Sequence, residues 1–359
     1  MGEDRAEREA RRREILAMLA PGTTMRDGIE RILRARRGTL IVIGSTPQVQ
    51  SICSGGFMID SPATGQRIAE LAKMDGALVV DDGAQRILRA NVQLVPDSSI
   101  ATDETGTRHR SAERTAKQTG LPVLAISESL GVVGLYLDGE RYVIDEVSTV
   151  LHRANLAMST LHRYRQRLDE VIDALAVREF EDQVTVRDVV LALQRAEMLR
   201  RIADELEGHV VELGSEGRMV TLQLEELATP VAAVRELIVR DYLADRRRKP
   251  SRPLAELAEL TTDDLLDHER LAKLLTFEAG SLDRRVTPRG YRMLGRIPRL
   301  PMAVVERLVE HFGALPAVLE ASSSALGDVE GVGSARARAV RDGLRRRREE
   351  LTPKARNGS

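Results

Sequence analysis

The chain has 359 residues, 42% of them hydrophobic and 30% charged, with a formal net charge of −1 and one cysteine, Cys53. That length and apolar content support two or three compact domains and exclude disorder throughout, and a single cysteine excludes an intrachain disulfide. No stretch reaches the roughly 18 uninterrupted apolar residues of a membrane span. The charged start MGEDRAEREARRREILAML lacks the apolar core of a signal peptide, so a cytoplasmic protein with no membrane partner is expected.

The near-neutral total hides an asymmetry. Residues 281–359 hold 16 Lys and Arg against 9 Asp and Glu, a local +7 that leaves −8 for the remainder. A basic end is the natural face for nucleic acid, because neutralising phosphates releases counterions. Aromatics are only 3%, with no tryptophan, which gives base-stacking platforms little support.

In chain order, helical patterns through Leu19 and over 25–36 give way to short β-branched runs at 39–43, 77–80, 91–95, 122–126, 132–137 and 141–144. Asp82-Gly83 and Asp138-Gly139 read as hairpin turns. The pattern predicts an α+β, or mixed α/β, N-terminal domain over 1–146: a mixed sheet with helices packed on it. Gly55-Gly56 and the Gly131/Gly134 turn lack the spaced triplet that a dinucleotide fold places between strand and helix.

Residues 147–180 read as one long helix. Leu151, Ala154, Met158, Leu161, Leu168, Ile172 and Leu175 recur at steps of three and four, broken at Arg165, a stripe of about 36 Å. A second helix is expected from Thr185 to about Glu207, and 210–280 read as short mixed elements with a linker at 246–253. Together these make an all-α middle domain over 147–280.

Over 281–347 the pattern suggests a tandem helix-hairpin-helix domain, with a basic, disordered tail at 348–359. Gly331-Val332-Gly333 directly precedes a helix, so backbone N–H groups and the helix dipole can meet a DNA phosphate. Gly331, Gly333, Ser334, Arg336 and Arg338 are the expected DNA contacts. The stretch Ile297-Pro298-Arg299-Leu300-Pro301 is a candidate partner hairpin without the glycine pair.

Two N-terminal segments carry the chemistry. Asp75-Gly76-Ala77 lies between a helix expected at 65–74 and the strand at 77–80. There an acid at a sheet edge is open to a metal or hydroxyl, and Gly76 lets a ligand approach the backbone. The polar stretch PDSSIATDETGT, 96–107, has no periodic pattern, and ordered loops of that length are commonly functional. It leads into a helix at 108–119 with Thr107 as N-cap. Arg108, His109 and Arg110 in the first turn oppose the helix dipole, a conflict that a bound phosphate resolves.

These segments, KMDGALVV and TDETGTRHRSAERTA, resemble the paired signature of diadenylate cyclase domains. With the helical middle and terminal hairpins, the whole chain resembles the bacterial DNA-integrity-scanning diadenylate cyclases. The resemblance implies condensation of two ATP to cyclic di-AMP with release of two pyrophosphates, by face-to-face catalytic domains within an octamer. It further implies suppression by branched double-stranded DNA such as recombination junctions.

On that resemblance Asp75 holds Mg²⁺ or Mn²⁺ and helps activate the 3′-hydroxyl. Arg108, His109 and Arg110 bind phosphates, unless one arginine instead orients the loop. His109 takes an electrostatic role rather than that of a general base. Thr107 and Ser111 contact the nucleotide from the helix start, and Gly76 and Leu94 line its pocket. The competing expectation is a non-catalytic DNA-binding repair accessory whose N-terminal domain only oligomerises or binds nucleotide.

Overall fold

Strands that are apolar on both faces need helices on both sides of their sheet, and the N-terminal region is built that way. The computed structural model describes residues 2–127, 131–245 and 247–356. Helices α1 (Gly2–Met18) and α2 (Thr24–Arg34) precede β1 (Thr39–Ile43), α3 (Pro47–Ile52), β2 (Cys53–Ser54), β3 (Phe57–Pro62) and α4 (Gly65–Leu71). Then follow β4 (Ala77–Val80), β5 (Arg86–Leu94), α5 (Thr107–Thr119), β6 (Val123–Ile126), β7 (Val133–Leu137) and β8 (Glu140–Ile144).

The sheet runs β2-β5-β4-β1-β6-β7-β8, with β3 also on β5. Strand β1 is parallel to β4 and antiparallel to β6, so the expected mixed sheet is present. Residue alternation sorts the side chains. Ile41, Ile43, Leu78, Val80, Leu124 and Ile126 join Ile15, Ile29 and Ile68 from α1, α2 and α4 in one core. Leu40, Val42, Val79, Val123 and Ala125 join Val49, Ala112 and Ala116 from α3 and α5 in the other. At the β7–β8 turn, Asp138 and Gly139 have φ of 52° and 82°, the left-handed pair that Asp-Gly supplies in tight hairpins.

Three sequence expectations change here. Strand β5 starts at Arg86 rather than 91, because its outward positions are polar, and α3, β2 and β3 were not expected; most of β3 is exposed and shows no apolar alternation. Gly106, not Thr107, is the N-cap of α5, so Thr107 is its first residue. Asp75 is not at a sheet edge: β4 lies between β5 and β1, which puts Asp75 at the end of a central strand.

The helical region comprises α6 (Val147–Phe180), α7 (Val186–Leu213), α8 (Arg218–Tyr242), α9 (Ser251–Glu259), α10 (Thr262–Leu266) and α11 (His268–Leu274). It continues with α12 (Tyr291–Leu294), α13 (Met302–Phe312), α14 (Leu315–Glu320), α15 (Ser323–Gly327) and α16 (Gly333–Arg356). Contacts group the chain into two interleaved units, residues 1–156 with 206–222 and residues 157–205 with 223–359. Helix α6 keeps the expected bounds, and Met158, Leu161, Leu168, Ile172 and Leu175 are buried. Arg165, the break in the stripe, donates to the Leu227 carbonyl and pairs with Asp169. Where short mixed elements were expected, α8 runs for 25 residues. Helix α16 covers much of the expected tail, and residues 357–359 lie outside the described residues.

The second unit holds its own core, including Ala176, Leu294, Ile297, Val305, Leu308 and Val332. Within it two hairpins repeat one another, α12–α13 and α15–α16. The N–H groups of Ile297 and Leu300 donate to the carbonyls of Leu294 and Ile297, as those of Val329 and Val332 donate to Leu326 and Val329. The residue at the bend is left-handed in both, Arg299 at φ 62° and Gly331 at φ 80°. A polar cluster is buried beside them. Arg292 forks onto Glu179 at 2.6 and 3.2 Å, Tyr242 donates its hydroxyl to Glu179 at 2.6 Å, and Asp241 accepts from the N–H groups of Gly290, Tyr291 and Arg292.

Candidate active site

A cleft of about 780 Å³ opens at the end of β1 and β4 and beside the start of α5, a volume typical of small-molecule sites. Asp75, Gly76, Leu94, Thr107, Arg108 and His109 line it, as does Ser111. Both sequence segments therefore meet in one place, although thirty-odd residues separate them. Arg110 does not line the cleft. It is exposed, and among the described residues its guanidinium has no hydrogen bond or ion pair.

The Asp-Gly-Ala segment is held from two sides. Thr39 on β1, buried, donates its hydroxyl to the Gly76 carbonyl at 3.2 Å. On the other side β5 bulges at Asn91, whose φ is 55°, where its register against β4 shifts between Val92 and Arg89. A β-carbon at Gly76 would sit 2.5 Å from the Asn91 carbonyl carbon. Glycine at 76 is thus required by the neighbouring strand, a reason the sequence did not suggest. Gly76→Ala is expected to cost about 1–3 kcal/mol of stability by overpacking, read as a lowered urea midpoint; an unchanged midpoint would mean that β5 yields freely.

Asp75 itself is fully exposed, with Arg108 Nη2 at 3.7 Å from its carboxylate. No group of three His, Cys, Asp or Glu side chains among the described residues could hold a metal ion alone. One carboxylate is nevertheless the donor set expected for Mg²⁺-type ions that take their other ligands from substrate phosphates and water, so the residues present fit such an ion.

The loop before α5 is fastened to that helix by the helix's own side chains. Arg114 donates to the Ile100 carbonyl at 2.8 Å, Lys117 to the Ala101 carbonyl at 3.0 Å, and Thr102 donates to Glu113. This fixes Glu104 in the cleft wall, where Tyr136 donates its hydroxyl to Oε1 at 2.7 Å and Arg141 pairs with it at 3.0 Å. His109 Nδ1 lies 2.9 Å from the same hydroxyl. Desolvation holds the His109 pKa below its ordinary value, and Arg141 and Arg108 push the same way against Glu104. The first turn of α5 therefore carries two cations at neutral pH, not three.

Sequence reasoning missed Thr39, Glu104, Ser127 and Arg141 in the cleft wall. Glu104 was legible as part of TDETGTRHR, whereas Arg141 on β8 is brought in only by the sheet order.

Residues 26–141 match the family model described as DisA bacterial checkpoint controller nucleotide-binding, and residues 144–282 the DisA linker region. The DNA integrity scanning protein DisA of Acidothermus cellulolyticus is 54% identical over 350 residues, covering 96% of this chain and 95% of that one. The chain belongs to the DisA family. Its counterpart in Kineococcus radiotolerans is 55% identical over 338 residues, covering 93% and 94%. Among solved structures, DacA from Staphylococcus aureus aligns with 36% of this chain and 86% of its own at 22% identity and a TM-score of 0.29. Membership makes the chain a diadenylate cyclase, a nucleotidyltransferase, of a family that uses a divalent metal. The non-catalytic accessory reading is set aside. No helix among the described residues is long and apolar enough to cross a membrane.

At the other end of the chain, Gly331 and Gly333 have φ of 80° and 37°, and Gly333 begins α16. Ser334, Arg336 and Arg338 are exposed along its first turns. Arg336 donates to the Gly331 carbonyl at 2.5 Å, and Arg307 of α13 to the Glu330 carbonyl at 3.0 Å.

Proposed function

We propose that the cleft binds one ATP and that two such clefts, facing each other across a junction between two copies within an octamer, condense two ATP into cyclic di-AMP and two pyrophosphates. The observation that carries this is the meeting of Asp75 with the N-terminus of α5 in one cleft. That is half of a symmetric reaction, one acid and one phosphate cradle, and a two-fold copy supplies the other half.

Arg108 and the N–H groups at the start of α5 hold phosphates, with Thr107 and Ser111 adding hydroxyls. Gly76 and Leu94 bound the nucleoside side of the pocket. Asp75 would hold Mg²⁺ or Mn²⁺, which when bound lowers the pKa of the attacking hydroxyl and offsets charge on the α-phosphoryl group. Arg110, off the cleft and unpaired, is assigned to the triphosphate of the facing copy. Incubating the purified chain with ATP and either metal, then identifying the product by mass spectrometry, tests the reading; absence of cyclic di-AMP overturns it.

The two hairpins are read as a tandem helix-hairpin-helix domain, over 281–347, whose second turn meets a DNA phosphate through Gly331, Gly333 and Ser334, with Arg336 and Arg338 alongside. Branched DNA bound there suppresses synthesis. Removing residues 281–359 would be a poor test, because it strips the core from Ala176 and leaves Glu179 buried without Arg292. The exposed pair is the better target. Arg336→Glu with Arg338→Glu is expected to leave basal synthesis unchanged and to weaken junction-DNA binding, with a salt slope reduced by about one per lost phosphate contact. Undiminished suppression by junction DNA would move the sensor elsewhere.

A further inference from the structure

One hydrogen-bond chain in the cleft has no part in holding phosphates. Arg141 and Tyr136 both donate to Glu104 Oε1, and His109 Nδ1 faces the Tyr136 hydroxyl. A carboxylate only accepts, and a phenol has one proton. Tyr136 uses that proton in its hydrogen bond to Glu104, so towards His109 its oxygen can only accept. Nδ1 therefore carries the ring proton, and in the neutral ring Nε2 keeps its lone pair.

The surroundings keep the chain polarised this way. Tyr136 packs in the core between the sheet and α5, and burial together with Glu104 raises the phenol's pKa well above its usual value, so it stays protonated. The charged groups facing the imidazole are Glu104 from the loop, Arg141 from β8 and Arg108 from α5. Among the described residues, nothing hydrogen-bonds Nε2.

We infer that Tyr136, Glu104 and Arg141 are positioning residues that fix His109 as the Nδ1–H tautomer, making Nε2 the proton acceptor for the 3′-hydroxyl that attacks the α-phosphorus held in this cleft. This rests on the cyclase reading and reverses the purely electrostatic role expected for His109. In the step, the hydroxyl proton moves to Nε2 while the oxygen forms the new bond to phosphorus. The bond from phosphorus to the pyrophosphate oxygen breaks, and pyrophosphate leaves with that electron pair. The imidazolium, stabilised by Glu104 through Tyr136, then returns its proton to solvent.

Three isosteric or near-isosteric variants of the full-length enzyme separate this from a merely structural role. Tyr136→Phe should lower kcat by roughly 10²-fold, the low end for general-base catalysis, with KM for ATP nearly unchanged. Glu104→Gln lets an amide donate to the phenol oxygen, frees the phenol to donate to Nδ1 and so drives the ring proton to Nε2; kcat should fall comparably. Arg141→Met removes a charge that depresses the His109 pKa, so the acid limb of kcat/KM should move to higher pH than in the native enzyme. A Tyr136→Phe enzyme with native kcat, or an acid limb that Arg141→Met does not move, overturns the relay.

Neutron diffraction of the native protein near pH 7.5 decides the tautomer without turnover. A proton on Nδ1 alone is expected; one on Nε2 sinks the proposal. A native chain that makes no cyclic di-AMP while showing the Nδ1 proton would refute the cyclase reading and the acceptor role, but not the relay's geometry.

Discussion

Asp75→Asn is expected to cut cyclic di-AMP synthesis by about 10²- to 10³-fold, with the melting temperature unchanged. The two halves of the result have separate causes. Asp75 is fully exposed and, among the described residues, pairs only with Arg108, at 3.7 Å, so its charge is not needed to hold the fold. The amide is nearly the same size, and the segment stays pinned by Thr39 and by the Asn91 bulge. What disappears is the one carboxylate in the Asp-Gly-Ala segment, and with it the proposed hold on a cation that would stabilise charge at the α-phosphoryl group by several kcal/mol. Product formation with Mn²⁺ and Mg²⁺ and a thermal melt read the two effects independently. Near-native turnover in the folded variant would remove Asp75 from the metal role, and a lowered melting temperature would mean that the Arg108 pair is structural.

The largest stability effect is expected at Arg292→Met, about 3–5 kcal/mol in denaturant unfolding of the second unit. Glu179 is fully buried and Arg292 nearly so, and their fork is supplemented by the Tyr242 hydroxyl. Removing the guanidinium leaves a carboxylate in the interior with one hydroxyl for company, next to Asp241, whose own carboxyl is pushed up to about 7 by burial and by Glu179. The pair as a whole is less valuable than either member's loss suggests, because two desolvated charges roughly offset their attraction. Glu179→Leu with Arg292→Met is therefore expected to be more stable than Arg292→Met alone. A double variant no better than the single one would show that the cluster is needed for packing beyond its charge.

Much of this protein was readable residue by residue, wherever a local rule acts alone. The Asp138-Gly139 turn, the β1, β4 and β6 strands and the full extent of α6 follow from turn chemistry and periodicity, which need no knowledge of the rest of the chain. The Asp-Gly-Ala and Arg-His-Arg segments were legible because an acid beside a small-residue turn is open to a ligand and cations at a helix start oppose the helix dipole. Reading failed where the deciding neighbour is distant in sequence. Strand β3 is too exposed to alternate, and α8 continues through Pro230.

By itself, then, the sequence determined the mixed sheet, the long helix, the charge asymmetry and the two segments that line the cleft, since each is written in spacing and residue type. Only the tertiary structure decided how they work together. It placed Asp75 at the end of a central strand, made Gly76 a requirement of the Asn91 bulge, and left Arg110 out of the cleft lining. It also put Tyr136, Glu104 and Arg141, from three separate elements, behind His109. The physical reason is that a hydrogen bond's direction depends on which donor and acceptor meet in space, and strand order, which composition does not encode, brings them together.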